Sequence, residues 1–246
     1  MIHPKMTLAT AGRVLRQLLH DPRTIAMMFV VPCVLLGLLA WMYSDTPLIF
    51  DTIGASLLGI FPFVIMFLIT SITTLRERTT GTLERLLTMP IGKLDILVGY
   101  ALVFGFVAAL QSLVASLIAV HVYGLNVAGP EWMLVVIAVV DAILGTTLGL
   151  FVSAFATTEF QAVQFMPAFI FPQFLLCGLL VPLDKMPRVL HDIANCLPLT
   201  YAVSAMQRVS TEAHVSSATY HDILVVLGFA AAAVLLGAAT LRRQTR

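Results

Sequence analysis

Residues 76–95 read RERTTGTLERLLTMPIGKLD, a charged island between two long apolar stretches at 53–75 and 97–121. The island is too long for a simple polar link and has helical character of its own. Leu83, Leu86 and Leu87 fall on one helical face, while Glu84 and Arg85 point elsewhere. Thr80 or Gly81 can cap the start, Glu84 suits the positive end of the helix dipole, and Pro90 stops the helix. A short amphipathic helix between two apolar segments is a docking device.

The surroundings fix the class. Of 246 residues, 59% are hydrophobic and 11% are charged. Soluble domains carry about 25% charged residues, and mean hydropathy here is +0.98. Six segments approach the roughly 20 apolar residues a bilayer crossing needs, at 25–43, 53–75, 97–121, 132–152, 161–181 and 222–241. Alternating strands of the β-barrel kind are not visible. The expected fold is all-α: one polytopic transmembrane domain over 1–246 with six transmembrane helices. The first apolar segment is too long for a cleavable signal core and lacks a small-residue cleavage site, so the first span is expected to serve as the insertion signal. Cys33, Cys177 and Cys196 lack metal-site or CxxC spacing. A net charge of +1 points to no partner, and no nucleic-acid partner is expected.

Lys and Arg placement sets orientation. With six spans both termini share a side with the island. That side holds Lys5, Arg13, Arg16, Arg23, Arg76, Arg78, Arg85, Lys93, Arg242, Arg243 and Arg246, 11 in all, against 3 (Lys185, Arg188, Arg208) opposite. The termini and island are therefore expected in the cytoplasm, and the chain in the inner (cytoplasmic) membrane. Residues 6–19 read as an amphipathic elbow helix, with Leu8, Leu15, Leu18 and Leu19 toward lipid and Arg13, Arg16 and Gln17 toward water and headgroups. Asp21-Pro22 breaks it before the first span.

Inside the spans, Pro62 is expected to kink the second. Asp141, Gly145 and Gly149 share one face of the fourth, and Gly145 with Gly149 forms a GxxxG pattern. A mid-span carboxylate is costly without a partner. Gln111, Ser112 and Ser116 on the third span are candidate partners. Asp141 reads either as an interhelical anchor or as a proton or substrate site. The fifth span carries Pro167 and Pro172 with Phe160, Phe165, Phe169, Phe171 and Phe174, and Gln161, Gln164 and Gln173. Its ring surface and scattered amides suit a large amphipathic ligand, with Phe165, Phe169, Phe174, Gln164 and Gln173 as cavity candidates. Residues 182–220 are too polar to span. Pro187 starts a helix with Val189, Leu190, Ile193 and Leu197 on one face, and 199–210 forms a second piece, together a re-entrant element.

Several chemistries are absent from the sequence. Gly92-Lys93 is its one Gly-Lys pair, with Leu87 and Leu94 where a P-loop requires Gly and Ser/Thr. No HExxH or GxSxG occurs, and the six histidines do not pair at ligand spacing, so no metal site is expected.

The chain resembles the permease subunits of the ABC type-2 transporter family, the group that includes daunorubicin-type drug and lipid exporters. The residues from Arg76 to Pro90, the run from Cys177 to Pro182, Met186-Pro187, and Leu197 to Tyr201 carry the resemblance. One departure is Tyr100 after Gly99, where members often carry Lys. The resemblance implies that segment 76–89 couples to an ATPase, through Glu77, Gly81, Thr82, Leu83, Glu84, Leu86 and Leu87. It implies two separate ABC ATPase subunits holding ATP and Mg, and a second permease copy as homodimer or heterodimer. Surrounding membrane lipids complete the partners. The chain itself is then expected to bind no cofactor and not to be an enzyme alone. The expected activity is ATP-driven export of a hydrophobic or amphipathic substrate such as a drug, lipid or glycolipid. A proton-coupled secondary transporter using Asp141 is the alternative, although no repeat relates the two halves; a membrane-embedded enzyme is a third reading.

The charge count yields a direct test. Ser216→Cys in a cysteine-free background should react with an impermeant thiol reagent in intact cells. Labelling only after lysis would reverse the topology.

Overall fold

The computed structural model describes residues 4–80 and 92–240. Among them the regular structure is helical: α1 Pro4–Leu19, α2 Pro22–Met42, α3 Pro47–Thr79, α4 Lys93–His121, α5 Glu131–Ser153, α6 Glu159–Leu176, α7 Arg188–Ala194, α8 Pro198–Thr211 and α9 Ser217–Thr240. The starts follow local chemistry. Asp21 accepts from the Thr24 amide at 3.2 Å and its hydroxyl at 2.7 Å, and Pro22 sets the first turn of α2. Those two hydrogen bonds, side chain first, hold the Asp21 carboxyl below its usual range. Pro47 opens α3 and Pro198 opens α8. Thr158 caps α6 by accepting from the Gln161 amide. Asp95 returns its carboxylate to the Gly92 amide at the head of α4, 3.1 Å away.

Five described helices, α2, α3, α4, α5 and α9, are long and apolar enough to cross a membrane. The sixth expected crossing, 161–181, corresponds to α6, which falls outside that set: its 18 residues include Glu159, three glutamines and two prolines. The helix ends at Leu176, and Gly178 turns the chain with φ +90°, a conformation that favours glycine. The link between the expected spans 25–43 and 53–75 shrinks, because α3 starts at Pro47. Asp51 is accommodated near the helix start by accepting the Asn126 amide at 2.8 Å. With 33 residues, α3 is about 50 Å long, well beyond the bilayer core of about 30 Å.

The centre is the α3–α5 pair. The most apolar 18-residue window is 67% buried in α5 and 61% in α3, against 22% in α2. A Cβ at Gly145 would collide with the Phe63 carbonyl oxygen, and one at Gly149 would lie 2.5 Å from that of Phe67. The expected close approach is thus made, turn by turn, against α3. Around it, α4 donates Ser112 Oγ to the Ala138 carbonyl at 3.2 Å and Gln111 Nε2 to the Met28 carbonyl at 2.8 Å. Met28 stands four residues before Pro32, whose missing N–H leaves that carbonyl without its helical donor. At the end away from α1, the amides of Ala128 and Gly129 donate to the carbonyls of Ser210 and Val209, and Arg208 pairs with Asp222 at 2.9 Å. Helices α7 and α8 occupy this end, with Val189, Leu190 and Ile193 pointing away from the rest of the chain.

Backbone contact at the two glycines predicts unequal costs. Gly145→Ala should lower stability by about 1–3 kcal/mol, because the atom it meets is main chain. Gly12→Ala, with no atom within 4 Å, should change it by less than about 1 kcal/mol in the stabilising direction. Thermal unfolding of the purified variants measures both, and equal losses would contradict the packing.

Candidate functional site

Helices α3 and α4 bring their ends together on either side of residues 81–91, and α1 lies across them. Arg13 of α1 grips Glu77 of α3 with both guanidinium nitrogens, at 3.0 and 3.2 Å, and donates to the Tyr100 hydroxyl of α4 at 2.9 Å. The guanidinium carbon is also 5.9 Å from the Tyr100 ring centroid. Six residues earlier on α1, Thr7 donates to Asp95 at 3.1 Å. The two helices touch at Gly99, where a Cβ would sit 2.9 Å from Thr10 Cβ and 3.0 Å from the Thr7 carbonyl. Nearby, Arg76 pairs with Glu159 of α6 at 3.0 Å, and Arg78 donates to the Ser153 carbonyl of α5. The arrangement is a clamp: charge-assisted bonds tie α1, α3 and α4 at the helix ends that flank residues 81–91 in the sequence.

Three expectations change here. Arg13 does not face water and headgroups; it turns inward to Glu77. Leu18 is buried among Val14 and the α4 side chains rather than facing lipid, whereas Leu8 and Leu19 are exposed. Glu77, expected on a docking surface, is buried with its carboxylate committed to Arg13. The other expected coupling residues, Gly81, Thr82, Leu83, Glu84, Leu86 and Leu87, lie outside the described residues. Sequence reasoning missed Thr7, Arg13, Asp95 and Tyr100 as partners. The i, i+3, i+6 spacing of Thr7, Thr10 and Arg13 is the signal that a polar stripe of α1 faces protein.

Asp141 and Gln111 are both buried within the bundle, but they do not meet. Gln111 and Ser112 are spent on backbone carbonyls of α2 and α5, and neither Asp141 oxygen has a hydrogen-bond partner among the described residues. The expected pairing with α4 fails because Asp141 shares the face of Gly145 and Gly149, which looks at α3. Its Oδ2 stands beside Gly59 and Met206.

On α6 the cavity candidates split. Gln173 is buried and donates to the Phe169 carbonyl one turn back at 3.0 Å. Gln164 is exposed, and Phe165 and Phe174 are half-buried. Phe165 and Phe169 meet edge to face at 6.4 Å, forming one ring patch, while Phe171 stands exposed beyond it. Within one chain these rings form an open face rather than an enclosed chamber.

Residues 7–209 match the model of the ABC-2 type transporter family. The chain is 26% identical over 184 residues to the Escherichia coli (strain K12) protein named Probable multidrug ABC transporter permease YbhS, covering 74% of this chain and 48% of that one. It is 29% identical over 175 residues to the Bacillus subtilis (strain 168) Linearmycin resistance permease protein LnrN, covering 69% and 44%. It is 29% identical over 159 residues to ABC transporter G family member 20 of Dictyostelium discoideum, covering 64% and 22%. The chain therefore spans less than half the length of each of these relatives.

The clamp predicts coupling between its partners. In a cycle of Arg13→Ala, Glu77→Ala and the double variant, the pair should show an interaction of about 1 kcal/mol, modest because 30% of the Arg13 side chain is exposed. Unfolding of the four proteins measures it. Strict additivity would show that the pair does not hold α1.

Proposed function

Because the chain belongs to the ABC-2 type transporter family, we propose that it is the permease subunit of an ATP-driven exporter that moves a hydrophobic or amphipathic molecule across the cytoplasmic membrane. The chain is a multi-pass membrane protein of helical bundle type. The proposed assembly holds two permease copies and two separate ATPase subunits that bind ATP and Mg. In this reading α6 is the sixth crossing, both termini face the cytoplasm, and α7 and α8 form the re-entrant element on the other side. The clamp is the observation that carries the coupling role. It fastens α1, α3 and α4 at the two ends of segment 81–91, so a push on that segment reaches three helices at once. The absence of a P-loop from the sequence agrees with ATP hydrolysis on another chain.

The names of two relatives support a drug-like substrate. One is called a multidrug permease and the other a linearmycin resistance permease. The α6 ring patch, with Gln164 at its edge, fits such a ligand: broad apolar contact with few fixed polar anchors. The open face of α6 would become a chamber wall once a second copy stands opposite. Pro62, Pro167 and Pro172 interrupt the two helices, α3 and α6, that this chamber would use.

Two measurements test the proposal. Leu83→Asp or Leu86→Asp should abolish transport and loosen co-purification of the ATPase while membrane insertion persists; full transport with normal co-purification would exclude segment 76–89 as the coupling element. Phe165→Ala and Phe169→Ala should reduce substrate-stimulated ATP hydrolysis more than Phe171→Ala does. Equal effects from all three would remove the ring patch from the substrate path.

A further inference from the structure

Pro62 lies inside α3 and brings no N–H, so the carbonyl of Leu58 loses the donor it would have in an unbroken helix. Leu58 is fully buried, and a buried carbonyl without a donor is costly. The protein faces the same problem at Pro32, where the freed carbonyl is that of Met28. There a polar side chain on the neighbouring helix, Gln111 of α4, donates at 2.8 Å. At Pro62 the polar side chain on the neighbouring helix is Asp141 of α5. Its Oδ2 lies 3.4 Å from where a Cβ of Gly59 would be, and Gly59 is the residue joined to that carbonyl. Gly59 leaves the space the carboxyl occupies, and the contacts of Gly145 with Phe63 and Gly149 with Phe67 hold the register over the next two turns.

The surroundings of Asp141 decide its form. Met206 of α8 and Gly59 of α3 flank it, and Cys177 at the end of α6 is the titratable group within reach of its field. Among the described residues no Lys, Arg or His pairs with it, and both oxygens are buried without a donor. An ionised carboxylate there would be uncompensated in an apolar bundle. A neutral carboxyl has one O–H to give, and the freed carbonyl needs one. We propose that Asp141 is held as the neutral acid and donates its hydroxyl to the Leu58 carbonyl that Pro62 exposes, a latch between α5 and α3. It makes Asp141 a positioning residue: it fixes α3 at the proline from which the helix continues to Glu77 and the clamp.

The test uses the purified full chain. Asp141→Asn keeps an N–H donor and should melt within about 2 °C of the parent, whereas Asp141→Leu should lower the midpoint by about 3–10 °C. In a Pro62→Ala background the helix supplies its own N–H to Leu58, so Asp141→Leu should cost less than half as much. A difference infrared spectrum of the parent minus Asp141→Asn should contain the carbonyl band of a protonated carboxyl. The latch is overturned if Asn is as damaging as Leu, if Pro62→Ala leaves the Leu cost unchanged, or if only ionised carboxylate bands appear. Should Pro62→Ala fail to fold, the infrared spectrum and the Asn–Leu comparison decide the matter.

Discussion

The rest of the bundle depends on two helices being allowed to touch with their backbones. Where Gly145 and Gly149 face Phe63 and Phe67, the space between α3 and α5 has no room for a side chain. In lipid the hydrophobic effect does not drive helices together, so close van der Waals contact must. Once that pair is set, the other helices are placed by what it leaves open. Helix α4 lies where Ser112 can reach an α5 carbonyl, and α2 lies where Gln111 can reach Met28. Helix α8 closes the end where its last turn meets the chain at 128–129.

Polar groups in this apolar chain work mainly as ties between elements. Gln111, Ser112 and Tyr123 each donate to a carbonyl on another helix. Arg208 holds the start of α9 against α8, and Ser210 donates to the Asp51 carbonyl in the first turns of α3. Arg13 performs the same service at the opposite end. The two ends of α3 are therefore both anchored by side chains from elements far away in sequence.

Much of this was legible because helix boundaries are written in local chemistry. Asp21-Pro22 marks a start through cap and proline geometry that no distant residue alters; Thr158 and Pro198 do the same at α6 and α8, although the sequence pattern begins the fifth span at 161 and the second re-entrant piece at 199. The spacing of Gly145 and Gly149 likewise announces a close contact. What it cannot announce is the partner, since several neighbouring helices could offer a smooth backbone, and the polar residues of α4 suggest a partner for Asp141 when its face looks at α3. Arg13 differs from expectation for a related reason. Amphipathicity assigns a charged residue to water by default, and only the three-dimensional meeting of α1 with Glu77 and Tyr100 turns it inward. The aromatic residues of α6 are readable as a set, and helical spacing separates Phe165 and Phe169, one turn apart, from Phe171; which of those faces packs on α3 is not readable.

The separation of Arg13 from its partners imposes a timetable on synthesis. Glu77 lies 64 residues after Arg13 and Tyr100 lies 87 after it. At ribosomal rates of about 5–20 residues per second, the interval between making Arg13 and making Tyr100 is roughly 4–17 s. During that time α1 exists with its basic groups unmatched while α2 and α3 are already entering the bilayer. Helix α1 thus leaves the ribosome before its partners on α3 and α4 but completes its seat only after them, and its docking reports that α2, α3 and the start of α4 have been made.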